Sequence, residues 1–126
     1  MRTARSARDV VELYNLRVWN QRDFDLAAEL FADSVIRHDV GESLVLTRDQ
    51  AVQRIVDLCR AFTDIRFTLK VVVAGDDGQH VTIIYESTLT TADGEAVQIA
   101  SMEVFRVVDG QITEVYNCGH KQGVWN

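Results

Sequence analysis

Apolar residues along the first third of the chain recur at helical intervals. Val10, Val11, Tyr14 and Val18 fall on one face of a helix that runs to about Asn20, and Ser6 with Asp9 forms a capping start. The polar break Gln21-Arg22-Asp23 ends it. A shorter helix follows, with Leu26, Ala27, Leu30 and Phe31 on one side. Val35 to Val40 is too short and too β-branched for another helix, so it predicts a strand that enters a loop at Gly41, Glu42 and Ser43. Thr47 and Gln50 have capping-box spacing. They open a third helix whose stripe of Val52, Ile55, Val56, Cys59 and Phe62 needs an apolar surface to cover it.

At Asp64 the period changes from helical to alternating. Ile65, Phe67, Leu69, Val71 and Val73 point one way, and Arg66, Thr68 and Lys70 the other. Asp77-Gly78, Asp93-Gly94 and Asp109-Gly110 then mark three hairpin turns. The second half therefore predicts a four-stranded antiparallel meander. Helices followed by a meander imply an α+β fold, with N-terminal helices packed on a curved antiparallel sheet.

Composition narrows the class. With 126 residues, 47% apolar and 25% charged, the chain reads as one globular domain spanning residues 1–126. A net charge of -6 repels a phosphate backbone, and Arg2, Arg5 and Arg8 lack the interleaved aromatics that nucleic-acid stacking uses. No apolar run approaches the ~18 residues of a membrane span, and MRTARSARDVVEL lacks a signal-peptide core. Neither nucleic acid nor membrane is an expected partner, and a cytoplasmic location is expected. Cys59 and Cys118 have no metal-type spacing and read as buried free thiols of a reducing compartment. No phosphate loop, nucleophile elbow or helical His pair is present, so neither cofactor nor metal is expected.

Candidate chemistry centres on the strand Ala96–Val108. Val97, Ile99, Phe105 and Val107 share a face with Ser101 and Glu103, which puts a carboxyl on the more apolar side. Such a group finds a partner or becomes neutral, and perturbed acids concentrate at functional sites; pairing with an Arg or facing a dimer partner is the plainer alternative. In the first strand His38 and Asp39 are adjacent, so only one can point inward. Alternation with Ile36 and Val40 selects His38, whereas a bulge before Gly41 would turn Asp39 in. Tyr14 on its apolar stripe, Tyr85 between Ile83 and Ser87, and Asn117 after Val115 are polar groups on inward-reading faces. Cys118 and His120 share a strand face, as an ordinary strand pair does.

The runs VVELYNLRVWNQRDFDLAAELFADSVIRHDVG and SMEVFRVVDGQITEVYN resemble the nuclear transport factor 2-like superfamily, in its ketosteroid isomerase-like and SnoaL-like branches, from about Asp9 to Asn117. The resemblance implies a cone-shaped α+β barrel. It places oxyanion-hole donors at Tyr14 and Glu103, and a general base at Asp39, or at His38 if the segment is counted back from Val40-Gly41. Trp19, Phe62, Ile83, Tyr85, Ser87, Phe105, Val115 and Asn117 would then bind substrate. Glu103 replaces an aspartate. Ser87 and Asn117 replace the acids of the epoxide-hydrolase and cyclase patterns. The activity implied is cofactor-independent proton transfer α to a carbonyl of a steroid-like, terpenoid or polyketide compound. A binding or dimerisation domain is the alternative, and an epoxide hydrolase-like enzyme a further one. The same likeness, with the apolar outer residues Ala100, Met102 and Val104, implies a homodimer. The tail HKQGVWN would close the pocket mouth or pack across that dimer.

Overall fold

The computed structural model describes residues 5–126; Arg2 lies outside them. Helix α1 (Ala7–Leu13) opens on Ser6, whose hydroxyl accepts from the Asp9 amide at 3.1 Å. It continues without a break into a π-helical segment, Tyr14–Trp19. A regular α-helix would set Tyr14 and Trp19 about 140° apart. Hydrogen bonding from i to i+5 brings them onto one face, with ring centroids 6.3 Å apart. Buried Asn15 supports the widened turn, its amide donating to the Val11 carbonyl at 2.8 Å. Asn20 ends the helix and docks it, exchanging two hydrogen bonds with the Phe67 backbone.

Helix α2 (Phe24–Leu30) is capped by Asp23, and α3 (Arg48–Ala61) by the full Thr47–Gln50 capping box. Seven strands make one curved, unclosed sheet: β1 (Phe31–Asp39), β2 (Glu42–Thr47), β3 (Asp64–Ala74), β4 (His80–Thr90), β5 (Ala96–Val108), β6 (Gln111–Asn117) and β7 (Lys121–Gln122). Their order is β2-β1-β6-β5-β4-β3, with β7 pairing β5. The three Asp-Gly turns fall between β3, β4, β5 and β6. At the last of these Asp109 and Gly110 both have positive φ, 51° and 77°, as a type I′ hairpin turn requires.

Four expectations about the sheet are corrected. The sheet is mixed, because β1 joins β6 in parallel; the helices carry the chain across before the meander begins. Residues 42–47 form strand β2, paired with β1, where a loop was expected. The outer face carries Ile36 and exposed Val40, so apolar content does not mark the inner one there. In β3 the register shifts between Leu69 and Val71, and the extra residue reverses every face beyond it. Val72 packs on the core, while Val71 and Val73 are 43% and 55% exposed.

The core fills the space between α1, α3 and the inner sheet face. Val10, Val18, Leu30, Ile55, Ile83, Phe105 and Ile112 are among its fully buried members. Cys59 belongs to it, but Cys118 is exposed, a correction to the expectation that both thiols are buried. Beyond β6 the tail pairs with β5, and the Trp125 indole N–H donates to the Tyr85 carbonyl at 3.1 Å. The terminal aromatic thus reaches β4 of its own chain. Among the described residues no helix is long and apolar enough to cross a membrane.

Candidate active site

A cavity of about 290 Å³ opens between the π-helical segment, α3 and the inner face of the sheet. One wall is aromatic and aliphatic: Trp19 lies 5.5 Å from Phe67, which lies 5.1 Å from Tyr85 (centroid distances), with Leu89 and Ile99 beyond. Helix α3 supplies Arg54 and Leu58, one turn apart, with Phe62 just past its end. These three form the row beside Ala51, Ile55 and Cys59, which point into the core.

Glu103 projects into this cavity from β5, as the alternation of that strand requires. It has no hydrogen bond or ion pair among the described residues. Burial raises its pKa to about 7; the positive charges of Arg37 and Arg54 oppose the shift, and Asp39 adds to it. Desolvation outweighs both guanidiniums because neither makes direct contact. The carboxyl is therefore part ionised and part neutral near neutral pH, a state an exposed glutamate does not offer.

Two tyrosines share the space. Tyr14 is wedged edge-on between Phe31 and Phe105, and burial, reinforced by Glu103, pushes it up to about 12. Tyr85 is raised further by the same two causes. Both hydroxyls therefore keep their protons and are donors. Asn117 faces Glu103 across β5–β6 and Asp39 across β6–β1, so the three lie in one row across the sheet, with the amide in the middle. Its Oδ1 accepts from the Gly119 amide at 3.1 Å.

Of the two candidate bases, His38 lies on the opposite face of β1 from Arg37. Its ring stacks on Tyr116 at 4.3 Å and its Nε2 is 2.8 Å from Glu114 Oε2. Asp39 is on the same side as Arg37 by simple alternation, with no local bulge needed. However, it does not line the cavity: its side chain is 43% exposed, its Oδ1 is 3.6 Å from Arg37 Nε, and it borders a shallower depression that Glu103 and Asn117 also reach. Trp19, Phe62, Tyr85 and Asn117 line the main cavity with Tyr14 and Glu103. Ile83, Ser87, Phe105 and Val115 are buried outside that lining. The Ser87 hydroxyl has no hydrogen-bond partner among the described residues.

Arg37, Arg54 and His120 also line the cavity, and sequence reasoning missed all three as cavity residues. Arg37 had a usable signal: it is two residues from buried Val35, on the face the strand turns inward. Arg54 precedes Ile55, off the apolar stripe, and reads as solvated until α3 is seated. His120 was considered only as a partner of Cys118 and as the first residue of the tail.

A sequence model of the SnoaL-like domain matches residues 10–115. Among curated proteins no significant match is found. Solved structures are similar at low identity. An epoxide hydrolase from M. tuberculosis, described as LEH-like, is 20% identical at TM-score 0.75, covering 89% of this chain and 80% of its own. A protein from Acidithiobacillus ferrooxidans, provisionally named a polyketide cyclase, is 19% identical at TM-score 0.77, covering 92% and 89%. Another provisional polyketide cyclase, from Xanthomonas campestris, is 24% identical at TM-score 0.73, covering 90% and 89%. These likenesses show the shared fold.

Proposed function

The chain belongs to the SnoaL-like domain family, and from that premise we propose that it is a cofactor-independent enzyme moving a proton α to a carbonyl of a small hydrophobic substrate. The observation that carries the reading is Glu103: an unpaired carboxyl in an apolar cavity, with a pKa of about 7, matched to general acid–base work at neutral pH. Two protonated phenols stand beside it. In the ionised form Glu103 takes the proton from the carbon next to the carbonyl. The C–H electron pair becomes the enolate, whose oxygen accepts hydrogen bonds from Tyr14 and Tyr85 and sits in the field of Arg37 and Arg54. Glu103, now neutral, returns the proton to another carbon, which is isomerisation. Alternatively the carbanion attacks a second carbonyl of the same molecule, whose C=O π pair moves onto oxygen and takes up the proton held by Glu103, the ring closure expected of a polyketide cyclase such as those the structural relatives are named for.

This assigns the base to Glu103 rather than to Asp39 or His38. Asp39 becomes a positioning residue that holds Arg37 and raises the pKa of Glu103 through charge. An epoxide hydrolase-like mechanism is less well supported, since Ser87 and Asn117 occupy positions where the resembling pattern carries acids. The second reading is a non-catalytic ligand-binding domain, favoured by the aromatic wall, which would hold an apolar guest without any proton transfer. We include a homodimer through the outer face, where Met102 and Tyr116 are 41% and 44% exposed, and a cytoplasmic location; sedimentation equilibrium tests the first.

The deciding experiment incubates the protein in heavy water with a panel of cyclic ketones and follows α-deuteration by NMR. Exchange that depends on the protein and is lost in Glu103→Gln supports the enzyme. Exchange equal in Glu103→Gln and the parent removes it. No exchange, together with a melting temperature raised by the same ketones, selects the binding domain.

A further inference from the structure

Of the two cavity arginines, Arg54 is the one whose charge nothing in direct contact balances among the described residues. Arg37 lies 3.6 Å from Asp39, and Glu103 acts on Arg54 only through the field. Among the described residues Arg54 has neither hydrogen bond nor ion pair. It is nonetheless half-buried, rising from α3 between the core row and the cavity. Burial, with the like charge of Arg37 behind it, disfavours its charged form. An unpaired guanidinium kept in such a place gives up hydration without compensation, and it does so in a chain whose net charge is -6, where carboxylates to pair with it are plentiful.

We propose that Arg54 is the seat for a carboxylate carried by the ligand, so that the substrate class is an apolar keto acid or aromatic acid rather than a neutral hydrocarbon ketone. The placement rests on the cavity described above, and it deepens the proton-transfer reading by naming what the substrate carries. A guanidinium presents a planar fork that fits a carboxylate through two parallel hydrogen bonds. One open fork fits one such group. The ligand's apolar body then lies along Trp19, Phe67 and Tyr85, and its carbonyl meets Tyr14 and Glu103, which line the same cavity. The Asn117 amide, whose oxygen is already engaged by Gly119, leaves its N–H groups for the same oxygen or for water. A dianion fits less well, because its second charge would meet Glu103 with only Arg37 left to offset it.

The test uses equilibrium binding alone, so that its outcome is separate from that of the exchange experiment. 2-Naphthoate and 2-naphthamide have nearly the same shape and differ in charge. Their affinities are measured by calorimetry for the parent protein, Arg54→Gln and Arg54→Lys, with thermal unfolding as the check on folding. The expected result is a preference for the acid of about tenfold or more in the parent. It should fall to within about twofold in Arg54→Gln and be partly kept in Arg54→Lys, while amide affinity is unchanged across the three. Equal binding of acid and amide by the parent overturns the proposal, as does a preference that survives in Arg54→Gln, or binding of neither compound. If the carboxylate preference fails while ketone exchange persists, proton transfer stands without this substrate class. If the preference holds and exchange is absent, the acid site belongs to a binding domain.

Discussion

Two carboxylates on opposite faces of the same three strands have opposite fates. Glu114, on the outer face of β6, is held by three neighbours: His38 Nε2 is 2.8 Å away, Arg106 donates to it at 3.1 Å, and the Tyr116 hydroxyl donates at 3.2 Å. Its pKa is lowered, first by the His38 hydrogen bond. Glu103, on the inner face of β5, has two arginines and two tyrosines about it but, among the described residues, no hydrogen bond or ion pair with any of them, and its pKa is raised. Both sites contain an acid, arginine and tyrosine. What separates them is direct hydrogen bonding in one and desolvation without partners in the other. The satisfied cluster staples strands together. The unsatisfied one is left able to exchange a proton.

The largest expected effect comes from removing the inner acid. Glu103→Gln should reduce ketone deuteration by about 10²–10⁴-fold, the range for loss of a general base, whereas Glu114→Gln should leave the rate within about twofold. Stability should respond the other way. Because the folded pKa of Glu103 is raised, the folded state binds more protons than the unfolded one between about pH 4.5 and 7. Stability from this group is therefore full below the lower value and is lost as pH rises through the upper one. The loss amounts to at most about 3 kcal/mol. Urea unfolding at pH 5 and pH 8 measures it, and the difference should shrink in Glu103→Gln.

Most of the fold was legible because its signals are local. Ser6, Thr47 with Gln50, and the three Asp-Gly turns each specify a boundary through their own hydrogen bonds or backbone angles, independent of what packs on them. The face of β5 was legible for the same kind of reason, since thirteen uninterrupted residues of alternation place Glu103 inward. The failures occur where one residue changes the count. The π turn brings Tyr14 and Trp19 together against the helical period, and the bulge at Lys70 exchanges Val72 for Val71 and Val73. In β1 Ile36 is outside and Arg37 inside, with exposed Val40 following in the turn, so apolar content selects the wrong face and with it His38. Arg54 was illegible for another reason: its role depends on how α3 seats on the sheet, a tertiary fact.

The bulge offers a sharper comparison within one strand. Val72→Asp should destabilise by about 2–3 kcal/mol, because it buries a charge against the core, and Val71→Asp by no more than about 0.5 kcal/mol, because it meets water. Equal effects in urea unfolding would return β3 to the unbroken alternation its sequence suggests.

The field around Glu103 can then be tuned without touching it. Asp39 raises its pKa and Arg37 lowers it. Asp39→Asn should therefore move the midpoint of the exchange-rate profile to lower pH, and Arg37→Gln to higher pH, each by about 0.5–1 unit. If Asp39 were itself the base, Asp39→Asn would instead abolish exchange with no midpoint left to move, so a single pH series decides between the two acids.

The smallest effect is expected on the outer face. Removing one neighbour of Glu114, as in Tyr116→Phe, leaves His38 and Arg106 in place, and partly exposed pairs contribute only about 0–1 kcal/mol each. The folded pKa of Glu114 is lowered, so its contribution is present above the unfolded value of 4.5 and is lost as pH falls through the folded one. Tyr116→Phe should thus weaken the fold slightly at pH 7 and not at all at the lowest pH where the protein stays folded, with the exchange midpoint unmoved. A shift of that midpoint would mean that the two faces communicate through β6, and the contrast between a stapled acid and an idle one would have to be redrawn as a single coupled network.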